Sequence, residues 1–239
     1  MKKPNINLLA VIVAVPVIGM TIIAPALTII KNDLNISFEN TQLILTLYFT
    51  FLALGQILSG PFSDKYGRKP ILLFGASIYS ISAFFASLSS NIEVLLILRC
   101  FQGFGAAACL SVGRTILSDC YEIKEAAKEM SKMTAIMAVI PISCFIFGGF
   151  LAEFLGWRTN LIALGIISLI LIIAMSLFLN ETLTKKAESI SFKNMFIVYR
   201  GLINTLSFNF FTITTAMQTS MFFAMNGFMP YEFERKGVT

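Results

Sequence analysis

Gly60-Pro61-Phe62-Ser63-Asp64-Lys65-Tyr66-Gly67-Arg68-Lys69-Pro70 separates two long apolar runs, approximately 41–62 and 71–88, neither of which contains a charged residue. A helix crossing a bilayer needs roughly 20 mostly apolar residues, so each run reads as a membrane span. The stretch between them is then a tight polar turn, since glycine permits sharp chain reversal and the charged side chains stay in water. Working outward, five more runs qualify as spans, at approximately 6–30, 94–117, 133–155, 161–179 and 204–229. The composition agrees. Of the 239 residues, 56% are hydrophobic and 13% charged, against about a quarter charged in soluble domains. Mean hydropathy is +0.81. Seven such runs leave too little polar surface to cover a soluble core. An all-α integral membrane protein is expected.

Several function classes drop out on residue types. Histidine is absent, which removes histidine-based metal sites and histidine catalysis. Cys100, Cys109, Cys120 and Cys144 lie in or at the ends of apolar runs and show neither metal nor disulfide spacing. No nucleophile–base pairing is visible, so no enzyme, cofactor or metal is expected. The net charge of +5 could suggest nucleic acid, but its distribution fits membrane topology better. With the N-terminus inside, the cytoplasmic segments hold Lys2, Lys3, Lys65, Arg68, Lys69, Lys124, Lys128, Lys132, Lys185, Lys186, Lys193 and Arg200. The outer segments hold only Lys31, Arg158, Arg235 and Lys236. Cytoplasmic loops carry the excess of Lys and Arg, so this bias puts the N-terminus inside. No nucleic-acid partner is expected.

Two stretches 89 residues apart echo each other. Gly60-Pro-Phe-Ser63-Asp64-Lys-Tyr-Gly67-Arg68 closes the second span, and Gly149-Phe-Leu-Ala152-Glu153-Phe-Leu-Gly156-Trp-Arg158 closes the fifth. One faces inward and the other outward, as inverted three-helix repeats would leave them. In both, the acid and the arginine can pair or meet helix-end dipoles. Glu153 reads as a carboxylate anchoring the outer loop.

The turn with Gly60, Asp64, Gly67, Arg68 and Lys69 resembles the signature loop between spans two and three of the major facilitator superfamily. Leu98-Arg99-Cys100-Phe101-Gln102-Gly103-Phe104-Gly105-Ala106-Ala107 resembles that family's fourth-span motif. An arginine inside a span costs at least ~2.5 kcal/mol, so Arg99 should face a cavity or a partner. Gly103 and Ala107 form a small-xxx-small face that suits close helix packing. Pro25-Ala26-Leu27, Gly113-Arg114 with Asp119 and Glu122, Gly148-Gly149, Gly156-Trp157-Arg158 and Glu181-Thr182-Leu183 extend the likeness to the bicyclomycin-resistance-like branch of drug:proton antiporters. It continues weakly to Tyr231 and Gly237-Val238-Thr239.

The resemblance implies a six-helix bundle of two inverted three-helix repeats over 1–180, a cytoplasmic linker over 181–203, and a seventh span opening a second half over 204–239. It implies multidrug efflux of small amphipathic compounds by proton antiport within a twelve-helix protein, in a bacterial inner membrane. The partners implied are the lipid bilayer, a small-molecule substrate and protons. Arg99, Gln102 and the position of Thr21 are implied for transport and coupling. Gly60, Asp64, Gly67, Arg68, Lys69 and Arg114 are implied for the cytoplasmic gate, with Asp64 pairing either Arg114 or Arg68. Gly103, Ala107, Gly148 and Gly149 are implied for helix packing.

Three departures qualify this. The branch usually carries an aspartate where Thr21 stands, and a proline where Phe145 stands. The family has twelve spans, and seven are present. Threonine stays neutral and cannot carry a proton as a carboxylate does. The alternative reading is therefore a truncated or split-gene half-transporter with no transport of its own, residue 239 being a truncation and a second polypeptide supplying the missing spans.

Overall fold

The computed structural model describes residues 4–184, 186–188, 190 and 192–236. Lys2, Lys3, Lys185 and Gly237-Val238-Thr239 lie outside them. The described residues fold into helices: α1 (Ile6–Thr21), α2 (Leu27–Asp33), α3 (Phe38–Tyr66), α4 (Arg68–Ser87), α5 (Ile92–Cys120), α6 (Ile123–Leu155), α7 (Trp157–Phe178), α8 (Phe192–Ile203) and α9 (Leu206–Arg235). Six of the helical stretches are long and apolar enough to cross a membrane, the first being Ile6–Asp33 with α1 and α2 taken together. The seventh expected span coincides with α9, which carries Asn209, Thr214, Thr215, Gln218 and Thr219 and is not among those six.

The helices outrun the apolar runs because hydropathy marks only the hydrocarbon slab, whereas capping chemistry sets the ends. Ser37 Oγ accepts from Asn40 N at 3.3 Å, starting α3 before residue 41. Asn91 Oδ1 accepts from Val94 N at 3.0 Å and starts α5. The first turns of α6 are charged and precede the expected span at 133; Lys132 and Glu129 pair there at 2.8 Å. Gly67 (φ +113°) and Gly156 (φ +86°) each end one long helix and begin the next. That conformation is open to glycine and costly for other residues. The sequence echo is thus a structural one: both glycines make the same turn.

The first span is broken. Proline has no N–H to donate, and Pro25 sits in a 3₁₀ turn, Ala24–Ala26, between α1 and α2. Two compact units are present, residues 1–186 and 187–239. In the first, α5 packs against α3, α4 and α1, α1 also packs against α6, and α4 packs against α7. Taking α1–α4 and α5–α7 as two repeats, α1 on α6 corresponds to α5 on α3. This is the reciprocal packing expected of inverted repeats. The second unit holds α8, inside the segment expected to be a linker, and α9.

Close approach between α5 and its neighbours depends on small residues. A Cβ on Gly103 would overlap the Tyr48 carbonyl oxygen and lie 3.0 Å from Tyr48 C and 3.2 Å from Leu52 N, all backbone atoms of α3. A Cβ on Gly55 would meet the Ala107 Cβ at 2.6 Å. On α6, a Cβ on Gly148 would overlap the Ile22 carbonyl oxygen at the break in the first span. Gly149 differs from the expectation. Its Cβ would meet only Pro25 Cβ at 3.7 Å, an ordinary contact, so close packing there rests on Gly148 alone.

Candidate functional site

Arg99 is fully buried within α5. Its Nη2 donates to Gly19 O at 3.2 Å and its Nε to Ile44 O at 3.4 Å. Its Nη1 donates to Gln102 Oε1, and the guanidinium lies 4.2 Å from the centroid of the Tyr48 ring. Tyr48 is held in place by donating its hydroxyl to Pro16 O at 3.0 Å. A buried cation normally needs a carboxylate; here neutral acceptors from α1, α3 and α5 and an aromatic face stand in for one. No carboxylate is buried among the described residues. The side chain faces the bundle interior, so of the two expectations for Arg99, a cavity or a partner, the structure shows partners. Beside it the Gln102 amide nitrogen and the Tyr79 hydroxyl are buried without hydrogen-bond partners.

The structure brings Arg99 and Gln102 together but not Thr21. The Thr21 hydroxyl donates to Val17 O at 2.8 Å, one turn back in its own helix. Gly19, Tyr48 and Tyr79 complete the cluster. Sequence reasoning missed all three, because a tyrosine or glycine in an apolar run carries no signal of what it faces.

The second cluster lies where α3 turns into α4. Arg68 opens α4, and its side chain is only 7% exposed. Nη1 donates to Asp64 Oδ1 at 2.5 Å and to Ser63 Oγ at 2.6 Å. Nε donates to Asp119 Oδ2 at 2.9 Å, near the end of α5. Lys69 Nζ donates to Ser176 O at 2.8 Å, satisfying a carbonyl in the last turn of α7. Of the two partners expected for Asp64, the structure shows Arg68. Arg114 is exposed and makes no ion pair among the described residues, so it is not part of this cluster. Gly60 also lies apart, with nothing within 4 Å of an added Cβ.

Glu181, three residues beyond α7, closes the cluster. Its carboxylate accepts from Arg68 N at 2.9 Å and Lys69 N at 3.2 Å, two of the free donors at the start of α4. Thr182 N and Leu183 N donate to it at 3.0 Å each. A Cβ on Gly67 would lie 2.5 Å from Glu181 Oε2, so the glycine leaves room for the acid. Burial raises the Glu181 pKa, but the backbone donors at Leu183, Arg68, Lys69 and Thr182 outweigh it and hold the carboxyl below the usual glutamate range. A depressed folded pKa means stabilisation that is fully present above the unfolded value of about 4.3 and is lost as pH falls through the folded one. Detergent unfolding followed against pH should therefore show Glu181→Gln less stable than the parent near neutrality, with the gap closing only in acid. A gap that is the same at every pH would rule this out.

At the opposite end, Asp33 Oδ2 accepts from Trp157 Nε1 at 2.9 Å and from Arg158 Nη1 at 2.8 Å. Arg158 Nη2 donates to Ser89 O at 3.2 Å, and its guanidinium lies 4.3 Å from the Trp157 ring. The acid that pairs with Arg158 is thus Asp33 from the end of the first span, whereas Glu153 is exposed. Asn160 Nδ2 donates to Ile22 O at 2.8 Å and Gly148 O at 3.1 Å, sealing the break in the first span. The two ends of the bundle are therefore built alike, each by an arginine that follows a positive-φ glycine.

Comparison with known proteins places these features. The family model described as Major Facilitator Superfamily matches residues 9–239. The chain is 28% identical over 214 residues to a chloramphenicol resistance protein of Pseudomonas aeruginosa, covering 89% of this chain and 50% of that one. It is 28% identical over 178 residues to a bicyclomycin resistance protein homolog of Haemophilus influenzae, covering 74% and 45%. It thus spans about half the length of the curated relatives it matches. Among solved structures, a bacterial homolog of the human lysosomal transporter Spinster, inward-facing and unoccupied, superposes with a TM-score of 0.77 at 19% identity. That match covers 98% of this chain and 56% of the other.

Proposed function

The chain belongs to the Major Facilitator Superfamily, and from that premise we propose that residues 1–180 are the amino-terminal half of a multidrug efflux transporter. It exports small amphipathic compounds by proton antiport within a twelve-helix protein. Residues 181–203 link this half to residues 204–239, which open the second. The N-terminus is cytoplasmic, in a bacterial inner membrane. The family supports transport, and the drug and multidrug resistance relatives support the substrate class.

The observation that carries the reading is the Arg68 cluster. One side chain and its two neighbouring amides tie the ends of α3, α4 and α5 to the segment after α7, through Asp64, Asp119 and Glu181. Charge pairs at a helix-end junction can be exchanged when halves rock about a central cavity, which is the motion alternating access requires. Asp64 and Arg68 brace the inner gate in this reading. Arg99, steadied by Gln102 on its own helix, ties α5 to α1 and α3.

Proton coupling needs a group that changes charge over the working pH range, and arginine does not. Thr21 stays neutral and no buried carboxylate is present among the described residues, so proton antiport in this reading requires a titrating carboxylate that the second half would supply. The same observation favours a second reading, a half-transporter without activity of its own. Reconstitution in vesicles with an imposed pH gradient separates the two. Residues 1–239 alone are expected to insert but to move no lipophilic dye. The same chain fused to the second six-helix half of a resistance relative is expected to export dye. Gradient-driven movement by residues 1–239 alone, abolished by Arg99→Ala, would overturn the need for a second half. An inserted fusion without transport would count against efflux.

A further inference from the structure

We propose that α8 is an interfacial helix that lies along the membrane surface and binds anionic phospholipid headgroups of the cytoplasmic leaflet. Its 12 residues rise about 1.5 Å each, giving roughly 18 Å. That is too short for a hydrocarbon core of about 30 Å. It therefore cannot cross the bilayer, and its composition does not suit water. At about 100° per residue, Phe192, Met195, Phe196, Tyr199, Leu202 and Ile203 fall on one arc by register. Gly201 falls on the opposite side. On that arc Phe196 and Ile203 are 67% and 62% exposed and Tyr199 and Leu202 38% and 37%, so α9 leaves much of this apolar surface uncovered.

Lys193 and Arg200, seven residues apart, fall together on the flank of that arc. Long cationic side chains in this position can keep their heads among phosphates while the apolar arc enters the acyl boundary. Charge points to the same partner. Residues 181–203 contain Lys185, Lys186, Lys193 and Arg200 against Glu181 and Glu188. Glu181 is already engaged by four backbone amides. The described ion pairs include neither Lys186 nor Arg200. A basic segment beside a membrane helix is attracted to an anionic leaflet.

The Lys and Arg bias puts residues 181–203, α8 among them, on the cytoplasmic side. The end where α7 terminates carries the Gly67 turn, which the Lys and Arg bias assigns to the cytoplasm. Zwitterionic lipid would satisfy the apolar arc but not the cations. A protein surface would cover the arc regardless of lipid charge.

The test uses the full chain with Cys100, Cys109, Cys120 and Cys144 changed to alanine and an environment-sensitive dye on Phe196→Cys or Gly201→Cys. In nanodiscs containing phosphatidylglycerol, the label at 196 should be shielded from an aqueous quencher and the label at 201 accessible. Each basic residue near an anionic surface contributes about fivefold in binding. Lys193→Gln with Arg200→Gln should therefore shift the docked-to-free ratio by about 25-fold, and pure phosphatidylcholine should also lower it. Equal shielding in both lipids, or equal shielding in lipid-free detergent, would overturn the proposal.

Discussion

Arg68→Ala is expected to lower the stability of the six-span unit by about 1–3 kcal/mol, between the cost of breaking a surface pair and that of breaking a buried one, because the arginine is buried and its two carboxylates are partly exposed. The side chain is 7% exposed and ends between Asp64, Asp119 and Ser63. Its loss leaves Asp64 and Asp119 without the cation they share. The pairs should not contribute equally, because the Asp119 side chain is 25% exposed and that of Asp64 51%. Water screens the Asp64 pair more, so Asp119→Asn should cost more than Asp64→Asn, which lies nearer the 0–1 kcal/mol of surface pairs. Denaturant titration in detergent, read as double-mutant cycles, would measure both. The reverse order, or an Arg68→Ala change near zero, would show that the cluster does not hold these helix ends together. If Asp64→Asn also left transport by an active assembly unchanged, its gate role would fall.

Gly103→Leu is expected to have the other large effect. Overpacking a core generally costs about 1–3 kcal/mol, because neighbouring side chains can shift. Here the atoms in the way are the carbonyl carbon and oxygen of Tyr48 and the amide of Leu52. No rotamer change relieves a clash with backbone, so α3 must move away from α5. That motion also pulls Ile44 O and the Tyr48 ring from Arg99. The expected cost is about 3 kcal/mol or more. Gly60→Ala is the control. It has open space around its Cβ, and alanine favours a helix by about 0.5–1 kcal/mol. Thermal unfolding of the two variants side by side would decide it. A Gly103→Leu protein as stable as the parent would mean that α3 and α5 do not depend on this contact.

The order of the six spans, the turn at Gly67 and its echo at Gly156 were legible because each is local. An apolar run, a charge-rich turn and a glycine at a reversal can be recognised within a few residues. Resemblance marked Arg99 and Gln102 as a pair, and their spacing of three puts them on one helical face. Gly148 and Gly149 show the limit. The sequence offers two adjacent glycines, and only the approach of the Ile22 backbone makes one of them necessary.

By itself the sequence determined an integral membrane protein, since bilayer thickness acts on the length of apolar runs, and it carried the expectation that most basic residues lie on one side. It also determined that no histidine is present and that no carboxylate stands in the apolar run 6–30, which holds Thr21. Only the tertiary structure decided which acid meets which arginine. Arg68 takes Asp64 and Asp119 and leaves Arg114 out. Arg158 takes Asp33, 125 positions away, rather than Glu153. It also decided that Arg99 would be balanced by carbonyls and a ring instead of a carboxylate. The reason is physical: an ion pair is worth forming only at a few ångströms, and helices far apart in the chain reach that distance only once the bundle has packed.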